Sequence, residues 1–236
     1  MTEEISADEI RDNVLRIEED ISRIAGSRAE SVRLMAVTKT RPVEEIEMCL
    51  RAGITLVGEN RPQEFRDKYP FFEKEGCEAH LIGHLQKNKV KYVVGKAACI
   101  ESADSEEILG EISKKAMELG IVQDVMLEVN TGMEEQKTGM SPDDLQRAVE
   151  TAAGLPGIRV TGLMTVAPIA DDSVVESVFE QTRRMFVDIN NEKIDNIRMN
   201  FLSMGMSGDY KLALKHGANV LRIGRAIFTR GFGGNA

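Results

Sequence analysis

Leu34-Met35-Ala36-Val37-Thr38-Lys39-Thr40-Arg41-Pro42 is a short apolar run that stops at a lysine, and an amphipathic helical pattern begins at Val43. Strand, loop and helix entry in that order make one βα unit. The unit recurs. Short apolar segments near 33–37, 55–59, 79–83, 98–101, 124–130, 158–164, 200–203 and 219–222 read as strands, with helical patterns between them. Segments 42–51, 105–119 and 141–153 are examples of the helices. Gly53, Gly120 and Gly154 follow them where a left-handed cap is expected. Val125-Met126-Leu127-Glu128-Val129 is apolar enough for a parallel sheet covered on its outer face. Eight such units close most naturally into a (β/α)8 TIM-type barrel, with a doubly wound open sheet as the alternative.

Ser6-Ala7-Asp8-Glu9 is a capping box, and Ile10, Val14, Ile17, Ile21 and Ile24 recur behind it at helical spacing. An extra N-terminal helix at about 6–24 therefore precedes the barrel, which spans about 33–228. Gly231-Phe232-Gly233-Gly234 marks a flexible tail at 229–236. With 236 residues and no interior linker or composition break, residues 1–236 read as a single domain.

A net charge of -9 argues against nucleic acid as a partner, since phosphate backbones are held by an excess of lysine and arginine. Cys49, Cys77 and Cys99 lack any metal or disulfide spacing and read as small buried residues in a reducing compartment. The N-terminus lacks a basic start and an apolar signal core, and no apolar run is long enough to span a membrane. A soluble cytoplasmic protein is expected.

Functional groups of such a barrel collect on the loops after the strands. Lys39, Glu59-Asn60, His84, Asn130-Thr131-Gly132, Met164, the run Ser203-Met204-Gly205-Met206-Ser207-Gly208 and Arg222-Ile223-Gly224-Arg225 all fall on that rim. Lys39 is either a lysine that snorkels to solvent or an amine kept neutral by desolvation for Schiff-base chemistry. The two glycine-containing loops read as a phosphate cradle, although Ser207 could equally cap the helix over 209–215. Met204 and Met206 are either ring contacts or gap-fillers. His84 lacks partners for a metal site, so a structural or ring-edge role is expected and no metal is assigned. The basic run Gln86-Lys87-Asn88-Lys89-Val90-Lys91 reads as a solvated helix face. No Gly-x-Ser-x-Gly elbow occurs, which sets aside a Ser-His-Asp hydrolase.

Ala36-Val37-Thr38-Lys39-Thr40, Gly58-Glu59-Asn60, the run from Leu81-Ile82-Gly83-His84 to Lys89, Gly162-Leu163-Met164, Ser203-Met204-Gly205-Met206-Ser207 and Arg222-Ile223-Gly224 follow one another in order. With them the chain resembles the pyridoxal phosphate homeostasis proteins, the YggS or PROSC group, from 33 to 228. The resemblance implies a barrel like the N-terminal domain of alanine racemase, with pyridoxal 5'-phosphate (PLP) at its mouth as an aldimine of Lys39. It implies that Ser207 and the backbone of Gly224 and Arg225 hold the phosphate, and that Arg222 meets the pyridine nitrogen. Asn60, His84 and Met204 would line the ring, with Val37 beneath it. A guanidinium that keeps its proton leaves the ring nitrogen unprotonated and the ring a poor electron sink, so transamination should be slow or absent.

The implied role is a PLP carrier serving storage or delivery to PLP-dependent apoenzymes, with a slow amino-acid racemase as the alternative. Against catalysis, no second domain supplies an opposed tyrosine base, and Tyr69, Tyr92 and Tyr210 all fall in or near helices. Two residues depart from or add to the pattern. Arg225 stands where the family often has a small or hydroxyl residue, and Lys137 is a second amine on the rim, more simply a solvated loop lysine than a PLP relay.

Overall fold

Ser6 caps the first helix as its sequence requires. Its hydroxyl accepts from the Glu9 N–H at 3.2 Å, and the Glu9 carboxylate accepts from the Ser6 N–H at 2.9 Å. The helix so started, α1 (Ala7–Ala25), buries Ile10, Val14, Ile17 and Ile21 along one face. The computed structural model describes residues 5–132, 134 and 138–232. Lys137 and the last four residues of the expected tail lie outside the described residues.

Eight strands follow: β1 (Arg33–Val37), β2 (Leu56–Glu59), β3 (Glu78–Leu81), β4 (Cys99–Ala103), β5 (Gln123–Glu128), β6 (Ile158–Met164), β7 (Ile197–Ser203) and β8 (Val220–Ile223). All pair in parallel, in chain order, and β8 returns to β1 with Arg222 beside Met35, so the barrel is closed and the open sheet is set aside. Helices α2 (Val43–Arg51), α3 (Pro62–Glu75), α4 (Glu106–Glu118), α5 (Pro142–Ala153), α6 (Asp172–Glu192), α7 (Tyr210–Lys215) and α8 (Arg225–Phe228) follow strands 1, 2 and 4 to 8. Between β3 and β4 the chain makes only a 3-10 turn, Lys87–Tyr92, where the basic run lies.

Alternation along each strand sorts the side chains into two cores. Ala36, Val57, Leu81, Ile100, Leu127, Leu163, Leu202 and Leu221 face outward and pack with Ile46, Phe65, Phe72, Leu109 and Phe179 of the helices. Inside the barrel, Met35, Leu56 and Val220 form one small cluster and Cys99, Met126 and Met164 another, both touching Phe201. Arg222, Ser203, Glu101 and His80 fill the interior as a connected polar set.

Three local expectations need correction. Gly154 is right-handed, with φ -88°, because α5 ends in a tight turn whose Gly154 N–H bonds to Thr151 and Leu155 N–H to Ala152. Gly53 and Gly120 do take positive φ. Cys77 is half-buried rather than buried, because it sits in the connection from α3 to β3, whereas Cys49 and Cys99 are buried. Strand β7 starts three residues before its expected limit, since Ile197 and Met199 are buried and extend the pairing.

The first helix binds the end of the chain to its beginning. Asn13 donates its amide to the carbonyls of Ile227 at 3.0 Å and Thr229 at 3.2 Å. Asp20 accepts from Tyr210 at 2.6 Å and Lys211 at 2.9 Å on α7, and from Arg23. Burial opposes the charge on Asp20, but these hydrogen bonds outweigh it and lower its carboxyl from 3.8 to about 2. With the folded value below the unfolded one, this contribution to stability is complete above the ordinary value and is lost as pH falls towards the folded one. Asp20→Asn should therefore cost about 1–2 kcal/mol at neutral pH. Urea unfolding curves should show the gap between variant and wild type closing as the pH is lowered through that interval.

Candidate functional site

The carboxyl ends of the strands form the mouth. Lys39 lies two residues past the end of β1, in a turn at the rim of the mouth. Its ammonium is exposed and makes no hydrogen bond or ion pair with a described residue.

The backbone that carries it is fixed from the outside. Lys68 on α3 donates to the Thr38 carbonyl at 2.8 Å, to Glu59 Oε1 at 2.8 Å and to Glu64 at 3.2 Å. Thr38 Oγ1 donates to the same Glu59 oxygen at 2.6 Å, and Glu64 accepts from the Thr40 N–H at 2.7 Å. Thr40 has φ 61°, a left-handed conformation that costs a β-branched residue energy and that the Glu64 contact helps to hold. Burial raises Glu59 above the usual carboxylate range, against the pull of Lys68 and Thr38.

Beside β1, the loops after β7 and β8 come together. Ser207 Oγ accepts from the Ala226 N–H at 3.0 Å, so this serine caps α8, while Asp209 takes the cap position of α7. Of the two roles open to Ser207, capping of the helix over 209–215 is thereby removed. The N–H groups of Gly224 and Arg225 have no acceptor among the described residues. Gly224 packs on Val37, where an added Cβ would lie 3.5 Å from the valine Cβ. Gly205 has φ 95°, and a Cβ there would meet Ala213 at 2.6 Å, so only glycine lets this loop lie so close to α7. The Arg225 side chain is exposed. Met204 is fully buried in the outer core, and Met206 is the exposed member of the pair.

Arg222 lies at the floor between these loops, buried on all sides. It donates to Ser203 Oγ and to the Thr165 carbonyl, both at 2.7 Å. Burial lowers its affinity for its proton, against the opposing effect of Glu101 and Glu128, and the guanidinium stays charged.

The wall formed by β2 to β5 carries Asn60, His84 and two acids that sequence reasoning did not assign. Asn60 Oδ1 is buried without a partner. His84 is half-exposed and bonds through Nδ1 to Asp104 at 2.7 Å, a pairing across 20 residues that spacing alone does not reveal. Glu128 accepts from Thr138 at 2.6 Å, and its other oxygen has no partner among the described residues; burial raises its carboxyl, with Asp104 adding to the effect. Among the described residues no group of His, Cys, Asp or Glu is placed to hold a metal, and no helix is long and apolar enough to cross a membrane.

The closed eight-stranded barrel has close counterparts. The chain belongs to the alanine racemase N-terminal domain family, whose model matches residues 5–230. Its relatives include the pyridoxal phosphate homeostasis protein of Aquifex aeolicus, 40% identical over 86% of this chain and 89% of that one. That of Deinococcus radiodurans is also 40% identical, over 86% of this chain and 92% of its own. PipY of Synechococcus elongatus, solved with PLP bound, is 31% identical with a TM-score of 0.77, covering 89% of this chain and 99% of PipY. Alanine racemase from Corynebacterium glutamicum, at 16% identity and TM-score 0.70, shares the barrel over 95% of this chain and 61% of its own.

The wall of the mouth depends on one close approach. A Cβ at Gly83 would lie 2.1 Å from the Asn60 carbonyl oxygen, and the Gly83 carbonyl is itself held by Ser102 at 2.7 Å. Gly83→Ala should destabilise the protein by about 2 kcal/mol or more. Thermal unfolding of this variant beside Gly120→Ala, where a Cβ would meet nothing within 4 Å and the φ of 68° makes strain the cost, separates the two causes.

Proposed function

We propose that the protein holds PLP reversibly at the barrel mouth, in the cytoplasm, and stores it or delivers it to PLP-dependent apoenzymes. The observation that carries this reading is an exposed Lys39, unpaired among the described residues, on the loop after β1, with Arg222 and the unpaired Gly224 and Arg225 N–H groups on the neighbouring β8 and its loop. PLP, when bound, supplies an aldehyde that an amine captures covalently and reversibly, and a ring able to act as an electron sink.

The chain's own residues fit that group. Lys39 is the capturing amine. Ser207, whose oxygen already accepts from Ala226, keeps its own proton to donate, and with the Gly224 and Arg225 N–H groups it would bind the phosphate. Arg222 would donate to the ring nitrogen, which holds that nitrogen unprotonated and weakens the ring as an electron sink. Val37 would lie under the ring, with Asn60 and His84 at its edge and Met204 behind. The orphaned oxygen of Asn60 supports this, because a buried amide oxygen without a donor gains a partner when a ligand arrives. The acidic surface, at net charge -9, disfavours nucleic acid as a partner.

The racemase alternative needs a second base opposite Lys39. Tyr69 bonds to Glu73 on α3, Tyr92 lies under the cations of Arg66, Lys89 and Lys91, and Tyr210 bonds to Asp20 on α1. None of the three reaches the mouth. An exchange assay separates the readings: with L-alanine, a carrier shows no α-proton exchange above that of free PLP.

Borohydride reduction of the PLP-incubated protein, followed by peptide mapping, should place a pyridoxyl phosphate adduct on Lys39 and none in Lys39→Ala. An adduct of equal yield in the variant would move the capture to another amine. Arg222→Ala should retain PLP several-fold less well, with an altered absorbance band; unchanged retention and band together would remove the ring-nitrogen role.

A further inference from the structure

Arg222 is the top of a column of polar side chains that runs down the inside of the barrel. Its Nη1 donates to Ser203 Oγ at 2.7 Å, and Ser203 donates to Glu101 Oε2 at 2.6 Å. Glu101 Oε1 lies 2.7 Å from His80 Nδ1, and His80 Nε2 lies 2.9 Å from Glu78 Oε1. Glu78 then takes both nitrogens of Arg33, at 3.1 and 2.6 Å, at the amino end of β1. The signs alternate from mouth to base, with guanidinium, carboxylate, imidazolium, carboxylate and guanidinium in turn.

Stability alone does not require this column. Buried ion pairs are often matched or exceeded by apolar residues of similar volume, and Met35, Met126, Met164 and Phe201 show that the interior accepts them. The column instead fixes direction. Ser203 has one proton, and because Glu101 takes it, the serine can only accept from Arg222. Together with the Thr165 carbonyl at 2.7 Å, this ties both ends of the guanidinium fork.

We propose that Glu101 and Ser203 are positioning residues, which hold the Arg222 guanidinium in one orientation so that its remaining N–H groups face the ring nitrogen of the bound ligand. The inference rests on the PLP reading above. The charged and titratable groups around Glu101 are His80 from β3, Cys99 from its own strand and Arg222 from β8, and Glu128 from β5 acts on Arg222. Burial opposes a charge on both Glu101 and His80, but each stabilises the other's ionised form, so Glu101 is lowered and His80 raised. Arg222 thus has a permanent anion two bonds away at neutral pH.

Glu101→Gln keeps the shape and removes the anion, while Ser203→Ala removes the bridge and leaves the anion in place. The wild type and both variants, incubated with PLP, are measured for its dissociation constant, for the absorbance of the bound form across pH, and for thermal stability without PLP. Both variants should still give the reduced adduct on Lys39, with dissociation constants about tenfold higher and a displaced pH midpoint of absorbance. Ser203→Thr, which restores the hydroxyl, should recover most of the affinity.

If Glu101→Gln does not fold, the Ser203 pair carries the test. Variants that bind with the wild-type constant and the wild-type pH midpoint overturn the positioning role and leave the PLP reading intact. A loss of thermal stability with binding and absorbance unchanged also overturns it, since the column would then be structural only. A wild type that forms no adduct on Lys39 overturns the PLP reading first and this inference with it.

Discussion

A guanidinium almost removed from water has to be neutralised where it lies, and the inside of this barrel is arranged around that demand. Arg222 occupies an inward position of β8, and the inward positions beside it are Ser203 on β7 and Glu101 on β4 rather than further methionines. Glu101 in turn would be an isolated buried anion without His80, and His80 an isolated buried cation without Glu78. Each polar residue is thus the condition for the next. The apolar clusters fill what remains, which is why they are small and divided, while the continuous core lies outside the barrel beneath the helices.

The Lys39 loop obeys the opposite rule. Its side chain reaches solvent and has no partner among described residues, yet its backbone is held through Lys68, Glu59 and Glu64 from the helical side. Fixing the main chain while leaving the amine uncommitted suits a group that must meet its ligand and let it go. A bound amine, already paired to a carboxylate, would first have to break that pair. The cradle follows the same logic, with Ser207 anchored by Ala226 and the neighbouring N–H groups unspent.

The barrel was legible in the sequence because eight repeats of an apolar run, a loop and a helical stripe leave few other closures. Rim residues followed from that, since position after a strand is a matter of counting. What spacing could not supply was pairing across strands. Glu101 in Cys99-Ile100-Glu101-Ser102-Ala103 reads only as a charge interrupting a strand, and nothing local says that it reaches a serine 102 residues away. Lys68 sits four residues after Glu64 on α3, a spacing that signals an ordinary surface pair. Its bond to the Thr38 carbonyl depends on how α3 lies against β1 and β2. His80 carried no signal beyond its inward register. Gly154 was misread because a glycine after a helix can also close a right-handed 3-10 turn.

The tie between α1 and the end of the chain has a consequence for how the protein is made. Asn13 and its acceptor Ile227 are 214 residues apart, so α1 leaves the ribosome long before α7 and α8, which it packs against. At typical synthesis rates that delay is roughly 10–40 s. Throughout it, the stripe of Ile10, Val14, Ile17 and Ile21 has no finished surface to cover, and β1 has no β8 beside it. The newborn chain therefore presents a greasy helix and an open strand edge until β8 and α8 arrive, the interval in which a chaperone or another nascent copy would find it.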